Sequence, residues 1–559
     1  MNATPRATRL AWLGLAAAMC VSATWLMIAG RDLSFASDDL FYYAHYVAHG
    51  SEITVVHGLE YFLAPSNGHL QVVGKLLYGL LFDIAGGNYT VFRAVNVAGV
   101  MLCVGLFFEL SRGRIGPIPA LVPCVSLLFL GFAWEPLLWA FDMHTTFALA
   151  LGLGAVLMLR RGDRRGDVLA CVLLVLSVGM IELGLAFAIG IAVSVLLRPD
   201  RWRRLWIFLV PIALYGCWWL WARHFDQSSI ELSNVRLIPA TFANGLAAVA
   251  GSVFGFNPTG AGVYQPITEV TAAGMVVAGV GVVALVARIK RGSVPSTLWV
   301  FLAVVLSYWV LIALGGRGAD SSRYILVATL LVFLVGADAL AGIGIRWPVL
   351  VAAACVVALA IPANVAKLND GRGPQGNDGR VGRTEYAMLD LARGHVDPDY
   401  APGRETPVVN AGGATFTALP AGDYLRAARE IGSLGYSQSE IPGLSPTLRR
   451  IADVSLAGAL GVKLRPSAPP TNRAGCAVAR AAEPGQGVAF RLPRSGVLLG
   501  VPGHRTIGVG VLRFGEPTEP SLPLAKLADG GWATLRIPAD SDPVPWQVFA
   551  DGPVDVCPL

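Results

Sequence analysis

Long apolar segments dominate the first two thirds of this chain and decide what it can fold into. Between Leu10 and about Ala366 they recur at lengths near the roughly 20 residues that an α-helix needs to cross a bilayer. The whole sequence is 54% hydrophobic and 14% charged, whereas a soluble domain carries about 25% charged residues. These features predict an α-helical polytopic membrane protein.

The apolar segments predict about eleven membrane-spanning helices. Arginine clusters stand at both ends of the segment 168–197, so we interpret it as a hairpin of two short helices that turns near Gly179 and Glu182. The first segment is longer than the apolar core of a cleavable signal peptide, so we expect a retained anchor. The predicted segments are Leu10–Gly30, Tyr89–Leu110, Pro117–Phe132, His144–Leu159, Val168–Leu197, Leu205–Ala222, Val270–Ala287, Leu298–Gly315, Tyr324–Gly342 and Trp347–Ala366.

Basic residues in the connecting segments predict the orientation of these helices. They cluster between alternate helices, which marks the cytoplasmic side and places the amino terminus inside and the carboxyl terminus outside. The formal charge of +6 resides largely in these clusters, so we predict no nucleic-acid partner. Four less basic segments fall outside: 31–88, 134–142, 223–269 and 317–323. Within the first, the segment 70–84 predicts an amphipathic helix in the membrane interface.

The composition changes after the last apolar segment. We predict a transmembrane domain at 1–366, a linker at 367–383 and an extracytoplasmic α+β domain at 384–559. Its part 384–470 carries helical patterns, and its part 471–559 carries short strands typical of a β-sandwich. Cys476 and Cys557 lie in this domain, whereas the other six cysteines lie in predicted spans. We predict a disulfide between them in an oxidising exterior, two unrelated thiols being the alternative.

Several ionisable and aromatic residues stand in the predicted outer segments, where a charge beside the membrane is costly unless it is used. Each also has an ordinary explanation: helix capping for the aspartates, snorkelling for Lys75 and interfacial anchoring for the aromatic and arginine side chains. The candidates are Asp38, Asp39, Asn67, His69, Lys75, Glu135, Trp139, Asp142, Glu182, Arg317 and Arg323.

The chain resembles the C-type membrane glycosyltransferases (the GT-C superfamily) in four features. These are an acidic pair that opens the first outer loop, an interfacial helix in that loop, about eleven spans and a carboxyl-terminal outer domain. Those enzymes transfer a sugar from a polyprenyl phosphate at the outer face of the membrane. The resemblance implies an inverting glycosyltransferase in a bacterial inner membrane, acting on a cell-envelope glycan or lipid acceptor. The sequence has neither a Gly-rich phosphate loop nor a nucleotide-binding cytoplasmic domain, and the lack of that domain favours a lipid-linked donor over a nucleotide sugar.

The resemblance also implies roles for the candidates. Asp38 is expected to be the general base, and Asp39 to orient the acceptor or hold a metal, although the sequence does not decide which aspartate is the base. Arg323, with Arg317 in reserve, and Lys75 are expected to bind the donor phosphate.

Substrate binding is expected from the remaining candidates. Asn67 and His69 are expected to hold the acceptor or the donor phosphate, or to help bind a divalent metal, and the need for a metal stays open. Glu135 and Asp142 are expected to supply acids beside Trp139, whose ring can stack on a sugar. Glu182 is expected to brace the first outer loop by hydrogen bonding.

Two other functions remain open at this point. A transporter or flippase of a lipid-linked sugar would favour charged or Gly/Pro-broken residues at mid-span, whereas the charges here cluster at the outer ends. A non-catalytic scaffold of an envelope glycan assembly machine would keep the same fold and lack only the base.

Overall fold

The computed structural model describes residues 5–36, 38–40, 42–43, 60–225, 230–256, 271–292, 294–402, 419–480, 487–501, 506–516, 522–528, 530–538 and 543–559. They fall into two compact units, drawn from residues 1–31, 53–84 and 88–373 and from residues 32–52, 85–87 and 374–559. The segment that begins at Asp32 therefore belongs to the second unit, which the sequence analysis did not predict. Two contacts attach it there: Ser34 Oγ donates to Gly379 O (3.0 Å), and Tyr43 OH donates to Gly432 O (2.7 Å).

The first unit is built of α-helices, the last of which continues into the second unit. The described helices are α1 Pro5–Ala29, α2 Val72–Ala85, α3 Tyr89–Ile115, α4 Pro117–Leu128, α5 Trp134–Leu138, α6 Met143–Leu159, α7 Arg164–Met180, α8 Leu183–Leu196, α9 Trp206–Ala222, α10 Ile238–Phe254, α11 Ala272–Lys290, α12 Ser296–Leu314, α13 Ser322–Ala339 and α14 Trp347–Leu391.

The ends of these helices lie on two opposite faces of the unit. On the arginine face, Arg114 pairs with Asp338 (2.9 Å) and donates to Thr297 (2.7 Å), which brings together the ends of α3, α12 and α13. On the other face, which we call the loop face, Arg323 at the start of α13 pairs with Glu135 of α5 (3.4 Å). The contacts of Arg114 thus join helix ends at a predicted basic connection, and those of Arg323 join helix ends at a predicted less basic one.

Length and composition identify nine of the described helices as candidate spans, or ten if the bent pair of α4 with the turn and helix at 131–138 counts as one. The helices α7 and α8 are shorter, with 17 and 14 residues, but they also run between the two faces. They turn at Ile181 and Glu182, where the sequence analysis predicted the hairpin. The predicted fold class, a polytopic helical membrane protein with a C-terminal α+β domain, is confirmed.

The helix α10, which lies within the predicted outer segment 223–269, was not predicted from the sequence. It is apolar enough to be a candidate span, but both of its ends contact the loop face. Asn234, which precedes it, donates to Leu314 O (3.1 Å), and Ser252 O accepts from Asn364 Nδ2 (3.1 Å). Asn364 also accepts from the backbone N–H of Phe132 (3.3 Å). Both flanks of α10 therefore contact the same face, so α10 returns to the face it starts from.

The helix α2 lies across the loop-face ends of three crossing helices, as expected of an interfacial helix. Val73 meets Gly179 at the end of α7, and Tyr78 packs on Phe92 at the start of α3 with ring centroids 5.3 Å apart. A Cβ at Gly74 would lie 2.0 Å from the His144 ring of α6, so only glycine allows this approach.

The predicted linker at 367–383 contains the boundary between the two units, after Gly373, but it was not predicted from the sequence that these residues continue α14. Their Gly, Asn, Asp and Pro content is unfavourable for a helix, but packing outweighs propensity here. A Cβ at Gly371 would lie 2.2 Å from the ring of Trp134, and one at Gly379 would lie 2.7 Å from Ser34 Oγ. The glycines that looked like linker residues are therefore positions of close approach.

The second unit combines two further helices, α15 Ala421–Glu430 and α16 Pro446–Ala459, with nine described strands. The strands form two antiparallel sheets with the orders β1-β7-β4-β9-β2 and β3-β8-β5-β6. All four residues of β4 are buried, so both of its faces are covered. Asp453 of α16 accepts from the backbone of Phe514 (2.7 Å) and Gly515 (2.9 Å), which ties the helix to the end of β5. The strands are β1 Arg465–Ser467, β2 Ala477–Ala479, β3 Val488–Arg491, β4 Val497–Gly500, β5 Ile507–Leu512, β6 Leu522–Leu527, β7 Trp532–Leu535, β8 Gln547–Ala550 and β9 Val554–Pro558.

The two cysteines of this unit are bonded to each other. Cys557 lies in β9, and Cys476 immediately precedes β2, the antiparallel neighbour of β9. The bond closes a segment with a sequence separation of 81 residues, which contains most of the strands. Their sulfur atoms lie beside the buried Trp532.

Helix α10 should leave both of its flanks accessible from the same side of the membrane. We expect Ser233→Cys and Phe256→Cys, each in a background without the exposed native cysteines, to react with an impermeant maleimide from one side of oriented vesicles. Arg201→Cys, on the arginine face, should react only from the other side. Labelling of Ser233→Cys and Phe256→Cys from opposite sides would show that α10 spans the membrane.

Removing the disulfide should destabilise the second unit. The double variant Cys476→Ser/Cys557→Ser should lose about 2–4 kcal/mol, because the chain that the bond constrains is long. The thermal midpoint followed by tryptophan fluorescence measures this loss. The matched control is Cys20→Ser/Cys217→Ser, which removes two exposed free thiols and should leave the midpoint unchanged; an equal shift in both variants contradicts the prediction.

Candidate functional site at the loop face

A tight turn presents His69 at the loop face. Ser66 and His69 exchange two backbone hydrogen bonds (3.0 and 2.9 Å) around Asn67 and Gly68, whose φ angles are 49° and 79°. Two consecutive residues with positive φ define a type I′ turn, for which Asn-Gly is the preferred sequence. The dipeptide was therefore a signal for this turn. Asn67 itself occupies the exposed corner of the turn.

His69 is the centre of a chain of three side chains. Its Nδ1 lies 2.7 Å from Glu182 Oε2, and its Nε2 lies 3.3 Å from a terminal nitrogen of Arg317. Arginine has no acceptor atom, so Arg317 donates to Nε2 and the ring proton resides on Nδ1, which donates to Glu182. Arg317 also donates to Tyr324 OH (3.3 Å). The His69 imidazole, which is held by Glu182, thus positions the exposed guanidinium of Arg317.

Glu182 fixes the turn to the α7–α8 hairpin. Its second carboxylate oxygen accepts from the backbone N–H of Leu70 (3.2 Å), and its side chain is largely buried. The prediction that Glu182 braces the first outer loop by hydrogen bonding is confirmed. The carboxylate thus positions His69 from two directions.

Arg323 is engaged by two acids, which corrects its predicted role as the clamp of a leaving group. Its Nε lies 3.4 Å from Glu135 and 4.0 Å from Asp142, and its guanidinium lies over the ring of Trp139 at 5.0 Å from the centroid. Buried acids need such a cation, because an unpaired buried charge is costly. Glu135, Asp142 and Trp139 therefore hold Arg323. The part that the acids and the ring take in substrate binding stays a prediction.

The two groups of side chains meet at the start of α13. Arg323 of the acid-paired group is followed directly by Tyr324, which accepts from Arg317 of the His69 group. Tyr308 of α12 packs edge-on against Tyr324 with ring centroids 6.3 Å apart. No role was predicted from the sequence for Tyr308 or Tyr324.

Lys75 is buried and binds backbone carbonyls, whereas the sequence predicted that it binds the donor phosphate. It is 2% exposed, and its ammonium donates to the backbone carbonyls of Tyr61 (2.8 Å) and Ala64 (2.6 Å). These carbonyls belong to the end of a short helical segment, where a cation is favourable. Burial lowers the pKa of Lys75 to about 8. The side chain anchors the chain that leads into the turn.

A cavity of about 750 Å³ opens beside the turn, between α8 and α9. Its wall is mostly apolar, from residues such as Ile189, Ile212 and Leu311, while Gly68 of the turn and Arg223 at the end of α9 line its rim. The Arg223 guanidinium lies over the Trp219 ring, 4.4 Å from the centroid. The cavity therefore joins an apolar volume to a cationic rim next to His69.

The acidic pair belongs to the second unit. Asp38 and Asp39 lie at the start of a helical segment, where the N–H of Asp39 donates to Ala36 O (3.2 Å). Asp38 is half-buried and Asp39 is buried. Among the residues that the structure describes, no group of three or more histidine, cysteine, aspartate or glutamate side chains is arranged to hold a metal ion. A metal beside Asp39 remains a sequence-based hypothesis.

Fold and site together define a polytopic helical membrane protein with a polar site at the loop face and a C-terminal unit of antiparallel sheets. No protein-family profile matches the chain, and no curated protein matches it in sequence. Among solved structures, the chain is similar to ArnT from Cupriavidus metallidurans, crystallised with bound undecaprenyl phosphate. The two chains are 14% identical, with a TM-score of 0.43, and the match covers 69% of this chain and 82% of that one.

The two arginines of the loop face should differ sharply in their effect on stability. Arg323→Gln leaves Glu135 and Asp142 buried without their cation, so we expect a loss of about 3–5 kcal/mol. The matched variant Arg317→Gln removes an exposed charge that has no acidic partner among the described residues and should cost less than about 1 kcal/mol. Thermal unfolding in one detergent measures both. Equal losses in the two variants would contradict the assignment.

Proposed function

We propose that this chain is an inverting membrane glycosyltransferase that moves a sugar from a polyprenyl-phosphate donor to a cell-envelope glycan or lipid acceptor. The arginine face would be cytoplasmic, as its basic connections favour, and the loop face would be the outer face of a bacterial inner membrane. The second unit would then be extracytoplasmic, where its disulfide is stable.

One observation carries the proposal: the mostly apolar cavity between α8 and α9 is also lined by the Arg223 guanidinium. A polyprenyl phosphate has the matching chemistry, since a long hydrocarbon chain ends in an anion. The cavity wall suits the chain, and Arg223 at the rim suits the phosphate. Arg317 is the second cation in reach of this rim, because it binds His69, the neighbour of the rim residue Gly68. Arg317 takes over the role that the sequence analysis gave first to Arg323.

The chemistry requires a base and a stabilised leaving group. An acceptor hydroxyl oxygen bonds to the anomeric carbon while the bond from that carbon to the phosphate oxygen breaks. Asp38 takes the hydroxyl proton, and Asp39 orients the acceptor. The polyprenyl phosphate leaves with the electron pair, and its growing negative charge is stabilised by Arg317 and Arg223. The neutral His69, held by Glu182, keeps Arg317 in position.

Transfer should depend on the acidic pair and on the exposed arginine. Membranes containing the full chain would be supplied with radiolabelled polyprenyl-phosphate mannose, arabinose or aminoarabinose, and label in glycan and lipid fractions would be counted. We expect Asp38→Asn to lower transfer about 10²–10⁴-fold, because proton removal contributes about that much. Arg317→Gln should lower transfer while the thermal midpoint stays near that of the wild type.

The control for this assay is Asp83→Asn, which neutralises an exposed carboxylate of α2 and should transfer at the wild-type rate. Full transfer by both Asp38→Asn and Asp39→Asn would refute the role of the pair. Movement of the intact labelled lipid across vesicles without transfer would indicate a flippase. Retention of labelled glycan without transfer by the wild type would indicate a scaffold.

A further inference from the structure

A second cavity lies on the arginine face, at the opposite ends of the helices that carry the loop-face site. It measures about 110 Å³ and lies between the ends of α6 and α8 and the start of α12. Arg160, Arg198, Ser194, Ser296 and Thr297 supply its polar lining, and aliphatic side chains complete the wall. Nothing in the proposed transfer reaction uses this cavity.

The cavity has two arginines that no acid neutralises by direct pairing. Among the described residues, neither the Arg160 nor the Arg198 guanidinium has a carboxylate within 4.0 Å. Arg198 donates to Leu159 O (3.1 Å), which fixes its direction at the cavity edge. Both charges therefore remain available to an anion.

The acids nearest to Arg160 are already matched by other arginines. Asp338 pairs with Arg114 (2.9 Å), and Glu109 forms a two-bond pair with Arg112 (2.6 Å for each bond). The remaining charges therefore give the cavity a net positive environment. Such a concentration of charge in a semi-enclosed space favours an anionic ligand.

The start of α12 adds further donors. Ser296 and Thr297 are the first residues of this 19-residue helix and line the cavity. Backbone N–H groups in the first turn of a helix lack intrahelical acceptors and carry partial positive charge. With two guanidinium groups, the hydroxyl of Ser194 and this helix start, the cavity presents the donor set that phosphate groups bind in proteins.

We propose that this cavity binds a phosphate group, either in the headgroup of an anionic lipid of the adjacent leaflet or as free phosphate. Basic cavities between membrane helices are a known form of headgroup site. The aliphatic wall beside the arginines, which includes Leu197 and Val300, suits the glycerol and upper acyl carbons of a lipid. The site is separate from the loop-face site and binds its ligand independently of glycosyl transfer.

Native mass spectrometry of the full chain in detergent tests the proposal. The probes are dioleoylphosphatidylglycerol and dioleoylphosphatidylcholine, and the variant is Arg160→Gln/Arg198→Gln. The control Arg165→Gln/Arg201→Gln removes two exposed arginines of the same face that do not line the cavity. We expect the cavity variant to retain phosphatidylglycerol about tenfold less than the wild type or the control, since two cations contact the phosphate.

A second variant separates loss of charge from loss of fold. Ser194→Phe fills the cavity and changes no charge, so it should also lose the lipid while its ligand-free thermal midpoint stays near that of the wild type. If both cavity variants retain phosphatidylglycerol as the wild type does, or if the control loses as much, the proposal is refuted.

The source of the phosphate is read from thermal shifts. A rise of the wild-type midpoint with inorganic phosphate alone, absent in Arg160→Gln/Arg198→Gln, identifies free phosphate as a ligand. A rise with phosphatidylglycerol only identifies the lipid headgroup. No response of the wild type to either probe refutes the site.

Discussion

The need to pair backbone groups where helices break at the loop face governs this structure. A bilayer supplies no water for such groups, so side chains must satisfy them. Arg93 donates to Leu26 O (2.6 Å) at the end of α1, and Asn96 donates to the carbonyls of Pro136 (2.9 Å) and Trp139 (3.0 Å). Lys75 serves two more carbonyls in the same way. These three polar side chains therefore stabilise the fold by donating hydrogen bonds to backbone carbonyls.

This constraint separates the functional candidates from the rest. Lys75 donates to backbone carbonyls, and Arg323 pairs with two acids, so both cations are engaged within the protein. Arg317 differs because its described partners, His69 and Tyr324, are neutral and its side chain is exposed. Among the described residues Arg317 has no acidic partner, and it contacts His69, which follows Gly68 of the cavity lining, so on the proposed function its charge is available to a lipid-linked phosphate. The candidate site is thus identified by the polar groups that the described fold does not use in ion pairs or in bonds to the backbone.

The sequence predicted the features that depend on segment length, charge alternation and local turns. It did not predict the features that depend on contacts with residues distant in the chain. The α7–α8 hairpin followed from arginines at both ends, and the strands β2 to β9 lie within 471–559, the part that was predicted to carry short strands. The helix α10 was missed, and its apolar composition does not reveal that both of its ends lie at the same face. The helical course of 367–383 depends on close contacts of Gly371 and Gly379 that no local propensity encodes. The roles of Lys75 and Arg323 likewise depend on partners distant in sequence.

The position of the cavity between α8 and α9 bears on how a donor would reach the site. Helix α9 is largely exposed along its apolar length, and it supplies much of the cavity wall. On the proposed function, a polyprenyl donor would enter sideways from the bilayer, and its phosphate would stop where the apolar wall gives way to Arg223. The Arg223 guanidinium is fixed at the rim by stacking on Trp219. The Arg317 guanidinium is fixed by its contact with His69, which Glu182 holds. Entry from the bilayer would make a soluble nucleotide-sugar domain unnecessary, because the donor arrives with its anion already at the depth of the site.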